Sequence, residues 1–281
     1  GNVFKSFNGG LSYQQVLNED QLEGTVRKIS IHGDGKNFIV SDHGSSSNLY
    51  RFSDNGSSIE LLFSATNLVF LDFYYDNINN TLLFSTGNGL FISTDEGVNW
   101  VPVVIDSTQT VQPYMQQFRR HTDGNIYAFT NSKFAKTTDG GEIWTLEDPF
   151  NLPTTILGGS SFACHGDNNL YWTNLYCEKQ IFVRSTDGGQ TWDDLTTIFK
   201  QAIVKKIMKD DTGILFAKTC QQEYFIFSED DGVNWSDYTI NGGLKVRELV
   251  FNSANHYFAI TENDSLYRST NNGASWTHLE L

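Results

Sequence analysis

A chain of 281 residues with 19 Lys and Arg against 33 Asp and Glu carries a formal net charge of −14, a field that repels phosphate backbones and anionic membrane surfaces, so nucleic acid and peripheral lipid are not expected partners. Aromatics reach 14%, charged residues only 19%, and 24 glycines stand beside 4 prolines, which excludes disordered and collagen-like chains and describes a folded, turn-rich, aromatic-packed one. No window approaches 18 uninterrupted apolar residues, so direct membrane insertion is not expected; the lone leading Gly1 reads as a cleavage scar that leaves a natural leader or anchor open.

In chain order, Val3–Phe7 and Tyr13–Leu17 read as a hairpin. Val26–His32, Phe38–Asp42, Leu49–Ser53 and Ile59–Ser64 then read as four short strands, rich in β-branched and aromatic residues and separated by turn residues. Leu68–Tyr74, Leu82–Thr86, Leu90–Ser93 and Trp100–Ile105 repeat the set, as do Met115–Arg120, Ile126–Thr130, Phe134–Thr137 and Trp144–Glu147. Three further units begin near Ser160, Val204 and Val246, and no segment keeps a helical i, i+3, i+4 pattern over three turns.

A second periodicity marks the end of each unit's third strand. Ser93, Asp95, Gly97 and Trp100 recur at the same offsets as Thr137, Asp139, Gly141 and Trp144, as Ser185, Asp187, Gly189 and Trp192, and as Ser228, Asp230, Gly232 and Trp235. A fifth copy, Ser269, Asn271, Gly273 and Trp276, carries Asn in place of Asp. Degenerate copies stand at Ser6–Tyr13 and at Phe52–Ile59, the latter keeping Asp54 and Gly56, so the copies start at 6, 52, 93, 137, 185, 228 and 269, with spacings of 41 to 48 residues. Ser/Thr and Asp accept bonds from backbone N–H groups in a turn, Gly supplies a positive φ, and Trp opens the next strand with a large apolar face. These residues are therefore expected to be structural clamps. Four strands per period is the pattern of a β-propeller blade.

The Ser/Thr-x-Asp-x-Gly-x-x-Trp copies at this spacing resemble the Asp-box, or BNR, repeat of sialidases, sortilin-type receptor propellers, photosystem II assembly factors and some xyloglucan-cleaving glycoside hydrolases. The resemblance spans nearly all of residues 1–281 and implies one all-β propeller domain of four-stranded antiparallel blades. Six complete blades plus an N-terminal hairpin are expected, with seven blades as the alternative.

The turns after strands one and three of a blade emerge on one face, with the repeated boxes, and the other loops emerge on the opposite face. That opposite face, where such families bind ligands, carries Asp42–Asn48, Asp106–Tyr114, Glu147–Leu157, Leu175–Gln180, Phe199–Ile203 and Thr219–Tyr224. Aligned first strands put Arg27, Lys205 and Arg247 at one equivalent position near the channel mouth, inviting an anionic group; the plainer reading is that they pair with neighbouring acids such as Glu248. Tyr114, Phe150, Tyr176, Phe199 and Tyr224 lie in or beside these loops, with Tyr114 and Tyr176 as candidate rim contacts, the alternative being packing against loop prolines. Sialidase chemistry needs an arginine trio, but Lys205 interrupts it and no Arg-Ile-Pro motif occurs. Asp42, Asp106, Glu178, Glu223 and Glu262 are the loop carboxylates available for glycoside hydrolysis.

The six histidines show no metal-ligand spacing, and His121 and His165 read as solvated turn residues. Phosphate-cradling loops and GxSxG are absent, so no metal or cofactor is expected. Cys177 and Cys220 occupy equivalent positions in neighbouring units, too far apart to bridge, and free thiols are expected. The leading functional expectation is a monomeric, non-catalytic binding or assembly module presenting a propeller face to a glycan or protein partner. A glycoside hydrolase and a receptor-like peptide-binding propeller are the alternatives. The resemblance places the chain outside the cytoplasm, at a cell surface, in a periplasm or secreted, and the acidic balance agrees.

Overall fold

The computed structural model describes residues 2–18, 20–22, 24–32, 35–105, 115–130, 133–147, 160–164, 169–174, 181–199, 204–219, 223–252 and 256–280. Their fold is all-β. Strands β1 (Val3–Lys5) and β2 (Gln14–Leu17) form a two-stranded antiparallel sheet. The next sheet runs β3 (Thr25–Ile31), β4 (Asn37–His43), β5 (Ser46–Phe52) and β6 (Ile59–Thr66) in chain order. The same up-and-down order holds for β7 (Phe70–Asp76), β8 (Thr81–Thr86), β9 (Gly89–Ser93) and β10 (Val101–Val103), and for β11 (Gln116–Arg120), β12 (Ile126–Phe129), β13 (Phe134–Thr137) and β14 (Thr145–Glu147).

It holds again for β15 (Ser160–Cys164), β16 (Leu170–Asn174), β17 (Ile181–Ser185) and β18 (Asp193–Asp194), which a single 3-10 turn, Thr196–Phe199, follows. Then come β19 (Val204–Lys209), β20 (Leu215–Thr219), β21 (Phe225–Ser228) and β22 (Ser236–Asp237). The last sheet has five strands, because a short β23 (Thr239–Ile240) pairs with β24 (Leu244–Phe251) ahead of β25 (Tyr257–Thr261), β26 (Leu266–Ser269) and β27 (Thr277–Leu279). That fifth strand has no counterpart in the sequence pattern: Gly242 and Gly243, both at positive φ, make the tight turn that folds β23 back on β24. The strands divide between two compact units, residues 1–120 with 124–148 and residues 121–123 with 149–281.

Within each unit, one sheet packs on the next through apolar side chains of the second strands. In the first unit, Phe38 of β4 meets Phe73 and Tyr75 of β7 at ring-centroid distances of 5.3 and 5.1 Å. In the second, Phe216 of β20 meets Phe251 at 5.9 Å and Tyr257 at 6.0 Å. Polar bridges reinforce the same junctions. Lys28 on β3 pairs with Asp72 on β7 and donates to the Phe73 carbonyl at 2.7 Å. At the equivalent position Lys206 on β19 reaches Glu248 on β24 at 3.7 Å, and Lys218 of the second strand β20 donates to the Arg247 carbonyl at 2.7 Å.

Two fully buried carboxylates tie first hairpins to the following sheet. Asp76 accepts from Ile78 N at 3.2 Å, from Asn79 Nδ2 at 2.8 Å and from Arg120 of the next sheet at 2.6 Å. Asp210, at the matching place in the second unit, accepts from Thr212 N at 3.0 Å, Ile214 N at 2.7 Å and the Tyr257 hydroxyl of the next sheet. His121 departs from the solvated-turn expectation. It is buried, with Nδ1 accepting from Asp123 N at 3.3 Å and lying 3.2 Å from the Asp123 carboxylate, because the hairpin end folds inward on it.

Candidate functional site

The five repeated turns share one hydrogen-bond scheme. Ser93 Oγ donates to Asp95 at 2.9 Å and accepts from Gly97 N at 2.8 Å, Asp95 accepts from Asn99 N at 2.8 Å, and Trp100 Nε1 donates to the Gly97 carbonyl at 3.0 Å. The scheme recurs with Thr137, Asp139, Gly141 and Trp144, with Ser185, Asp187, Gly189 and Trp192, and with Ser228, Asp230, Gly232 and Trp235. Asn271 performs it without a charge, accepting from Ser269 Oγ and Ser275 N at 2.9 Å each, while Ser269 accepts from Gly273 N and Trp276 Nε1 reaches the Gly273 carbonyl.

The glycine also marks a close approach. At Gly141, φ is +112° and an added Cβ would lie 2.8 Å from Leu83 of the preceding sheet, so this turn needs glycine for conformation and for room. The turn between β5 and β6 uses a different frame from the one its spacing suggests. Ser53 and Asn55 make the clamp, at 3.0 Å, while Asp54 turns away to Lys5 and Asn37. Ser carries the hydroxyl one residue later than the pattern places it.

Hydrogen bonds from the Thr191 hydroxyl and backbone hold the Asp187 carboxyl down from an ordinary 3.8 to about 2, and bonds from the Asn234 backbone and side chain do the same for Asp230. A depressed carboxylate stabilises the fold above its unfolded value and loses that contribution as pH falls through the folded one. Acid unfolding is therefore expected to steepen between about pH 4 and pH 2. Asp187→Asn, imitating Asn271, is expected to fold and to show a shallower fall in melting temperature across that window. Equal slopes for variant and parent would contradict it.

Arg27, Lys205 and Arg247 do occupy one equivalent position, and the structure gives it a physical meaning. Strand pairing skips from Val26 to Lys28, from Val204 to Lys206 and from Val246 to Glu248, so each cation is the unpaired residue of a β-bulge in its first strand. Two of them are not free to receive an anion. Arg27 Nε donates to Asp42 at 2.6 Å, and Arg247 pairs with Asp264, both inside their own sheets. The expectation of an open cationic focus is corrected accordingly: the neighbouring hairpin acids neutralise these guanidiniums. Arg27 belongs to one compact unit and Lys205 and Arg247 to the other. Tyr114 and Tyr176, with Phe150, Asp106, Glu178, His165, Cys177 and Cys220, lie outside the described residues.

Other loop candidates are occupied structurally. Asp42 holds both Arg27 and the Ser47 hydroxyl, the latter at 2.6 Å. Phe199 is buried against Trp235 and Phe182, with ring centroids at 5.1 Å from each, so it is core rather than rim. Tyr224 sits under Lys245 Nζ at 5.1 Å.

A cavity of about 440 Å³ opens where the β4–β5 turn and the segment before β3 emerge, at the end of that sheet opposite its Ser53 turn. Asp20, Gln21, His43, Ser46, Asn48, Tyr50, Leu61 and Ser64 line it. Asn48 and Ser64 are bonded to each other at 2.7 Å, fixing one polar patch. Leu61, 53% exposed, supplies an apolar surface beside it. Amide, hydroxyl and imidazole groups with one carboxylate, Asp20, beside an exposed leucine suit a hydroxyl-rich or peptide-like ligand. Of this lining, His43, Ser46 and Asn48 belong to the loop Asp42–Asn48 that the sequence places on the opposite face. The polar run from Ser41 to Asn48 was the available signal. A second cavity, about 410 Å³, lies beside the Asp95 turn and is lined by Val101, Pro102, Val104 and Glu142.

Residues 159–281 match the DUF6242 beta propeller domain. No curated protein matches the chain. Among solved structures, it is similar to YCF48 from Cyanidioschyzon merolae at 16% identity and a TM-score of 0.62, covering 94% of this chain and 87% of that one. It is similar to virginiamycin B lyase from Staphylococcus aureus at 14% identity and a TM-score of 0.67, with 94% and 87% covered. It also resembles the GH74 enzyme of Niastella koreensis at 17% identity and a TM-score of 0.61, covering 91% of this chain but only 45% of that enzyme. The fold is that of a β-propeller. These neighbours include a lyase, a GH74 enzyme and a protein solved bound to a peptide, so the fold is common to different activities.

Proposed function

We propose that this chain is a non-catalytic, extracytoplasmic binding or assembly module that holds a glycan or protein partner on the face opposite its repeated turns. The observation that carries the reading is the cavity between the β4–β5 turn and residues 20–21, whose hydrogen-bonding groups beside the exposed Leu61 match the mixed polar and apolar surface of an oligosaccharide. The hydrogen-bonding scheme supports identifying the five turns as Asp boxes whose carboxylates serve the turns themselves. Export rests on the likeness to Asp-box propellers and on the charge of −14.

Calorimetric titration against a panel of sialosides and β-glucan oligosaccharides, with turnover followed on the same panel, tests this. Saturable binding without turnover is expected, weakened about tenfold by His43→Ala or Leu61→Ala, both exposed enough to leave the fold intact. Robust hydrolysis abolished by replacing a single loop carboxylate would make the chain a glycoside hydrolase instead.

A further inference from the structure

The cavity of about 410 Å³ beside the Asp95 turn lies where the repeats stop being alike. The residue after each box tryptophan opens the fourth strand and faces solvent, and in four repeats it is polar: Thr145, Asp193, Ser236 and Thr277. In the remaining one it is Val101, 60% exposed and part of the cavity lining. Val104, 65% exposed, lines the same cavity. Exposed edge strands favour polar side chains, and a cluster of exposed apolar ones beside polar groups is the mark of a contact surface.

The turn of the next sheet adds charge to this lining. Its Glu142 stands where the other boxes carry Val98, Gln190, Val233 and Ala274, so among the five it alone is acidic there. Glu142 is exposed, and among the described residues its carboxylate pairs with no cation. One residue on, Asn99, Thr191, Asn234 and Ser275 each bond their side chain to the Asp or Asn of their own box, at 2.6 to 2.9 Å. Ile143 has no such group and is 70% exposed. Asp95 also lines the cavity, and after accepting from Ser93 Oγ, Asn99 N and Asn99 Nδ2 its carboxylate has room for a further donor.

We propose that this groove receives an arginine or lysine side chain of a partner polypeptide. The cationic head meets Glu142 and Asp95, while its aliphatic stem and an apolar neighbour in the partner cover Val101 and Val104. Charge complementarity names the occupant: the lining holds two carboxylates and no cation, in a chain of net charge −14. Pro102, exposed in β10 and lacking an N–H, blunts the edge of that strand, so side chains and not an added strand carry the contact. The site is separate from the cavity beside His43, with which it shares no lining residue.

A fluorescein-labelled synthetic peptide with one arginine between two leucines, flanked by glycine and serine, is the probe, titrated into the whole chain. Saturable anisotropy is expected, with affinity falling about fivefold for Glu142→Gln, about threefold for Val101→Ser, and about tenfold or more when glutamine replaces the peptide's arginine. Both substitutions install residue types that sister repeats already hold, as Gln190 and Ser236, so an unchanged melting temperature is expected and checks the fold. No saturable binding, equal binding by Glu142→Gln, or equal binding of the glutamine peptide would overturn the proposal. So would spermidine binding as tightly as the peptide with the same dependence on Glu142, since the groove would then take a free polyamine.

Discussion

Replacing Trp144 by alanine is expected to destabilise the fold by about 3–5 kcal/mol, as loss of a large buried aromatic does. Trp144 alone among the five repeated tryptophans is buried; Trp100, Trp192, Trp235 and Trp276 are partly exposed. Its ring packs edge-on to Phe118 at 6.0 Å and joins a cluster with Leu83 and Ile92 of the preceding sheet. Truncation therefore opens a cavity between two sheets and strands the Gly141 carbonyl, which Nε1 holds at 2.9 Å. Smaller losses are expected at Trp192 and Trp276. Chemical denaturation of the alanine series checks the order, and a Trp144→Ala variant within about 1 kcal/mol of the parent would refute the packing role.

Asp210→Ala should be comparably severe, at about 3–5 kcal/mol, because a fully buried carboxylate that serves the buried Tyr257 hydroxyl and several turn donors at once is removed. Thr212 N, Ile214 N and the Tyr257 hydroxyl would be left without it, and the last of these is buried. Burial first, and then the bond to Asp210, pushes the Tyr257 hydroxyl well above the ordinary tyrosine range, so it remains a donor at any working pH. Tyr257→Phe removes one donor and should cost nearer 1 kcal/mol. Asp210→Asn keeps an acceptor and should fall between the two. A melting temperature for Asp210→Ala within a few degrees of the parent would contradict this, since a loss of that size corresponds to a fall on the order of 10 °C.

The strand period and the five clamps were legible in the sequence because turn chemistry is local: the hydroxyl, the carboxyl or amide and the glycine must stand at fixed offsets for the bonds of the Ser93 turn to form. What stayed hidden was set by partners distant in the chain. Arg27 looked available until Asp42, fifteen residues on, was seen to hold it. Asp76 and Asp210 look like ordinary turn acids, and only packing reveals that both are buried and reach the following sheet. The Ser53 turn was misread by one residue because Asp54 and Gly56 imitate the pattern while Lys5 and Asn37 claim the acid. The cavity beside His43 and Ser46 has no motif at all, being a product of where a turn and the chain before β3 come together.

The proposed division of labour between clamped turns and a ligand-holding opposite face is tested most directly by amide exchange on the intact chain, with and without each member of the sialoside and β-glucan panel. Slowed exchange at residues 20–21 and 43–50, with the turns at 93–100 and 137–144 unchanged, is the predicted result. Slowing confined to those turns, with residues 43–50 unaffected, would contradict it.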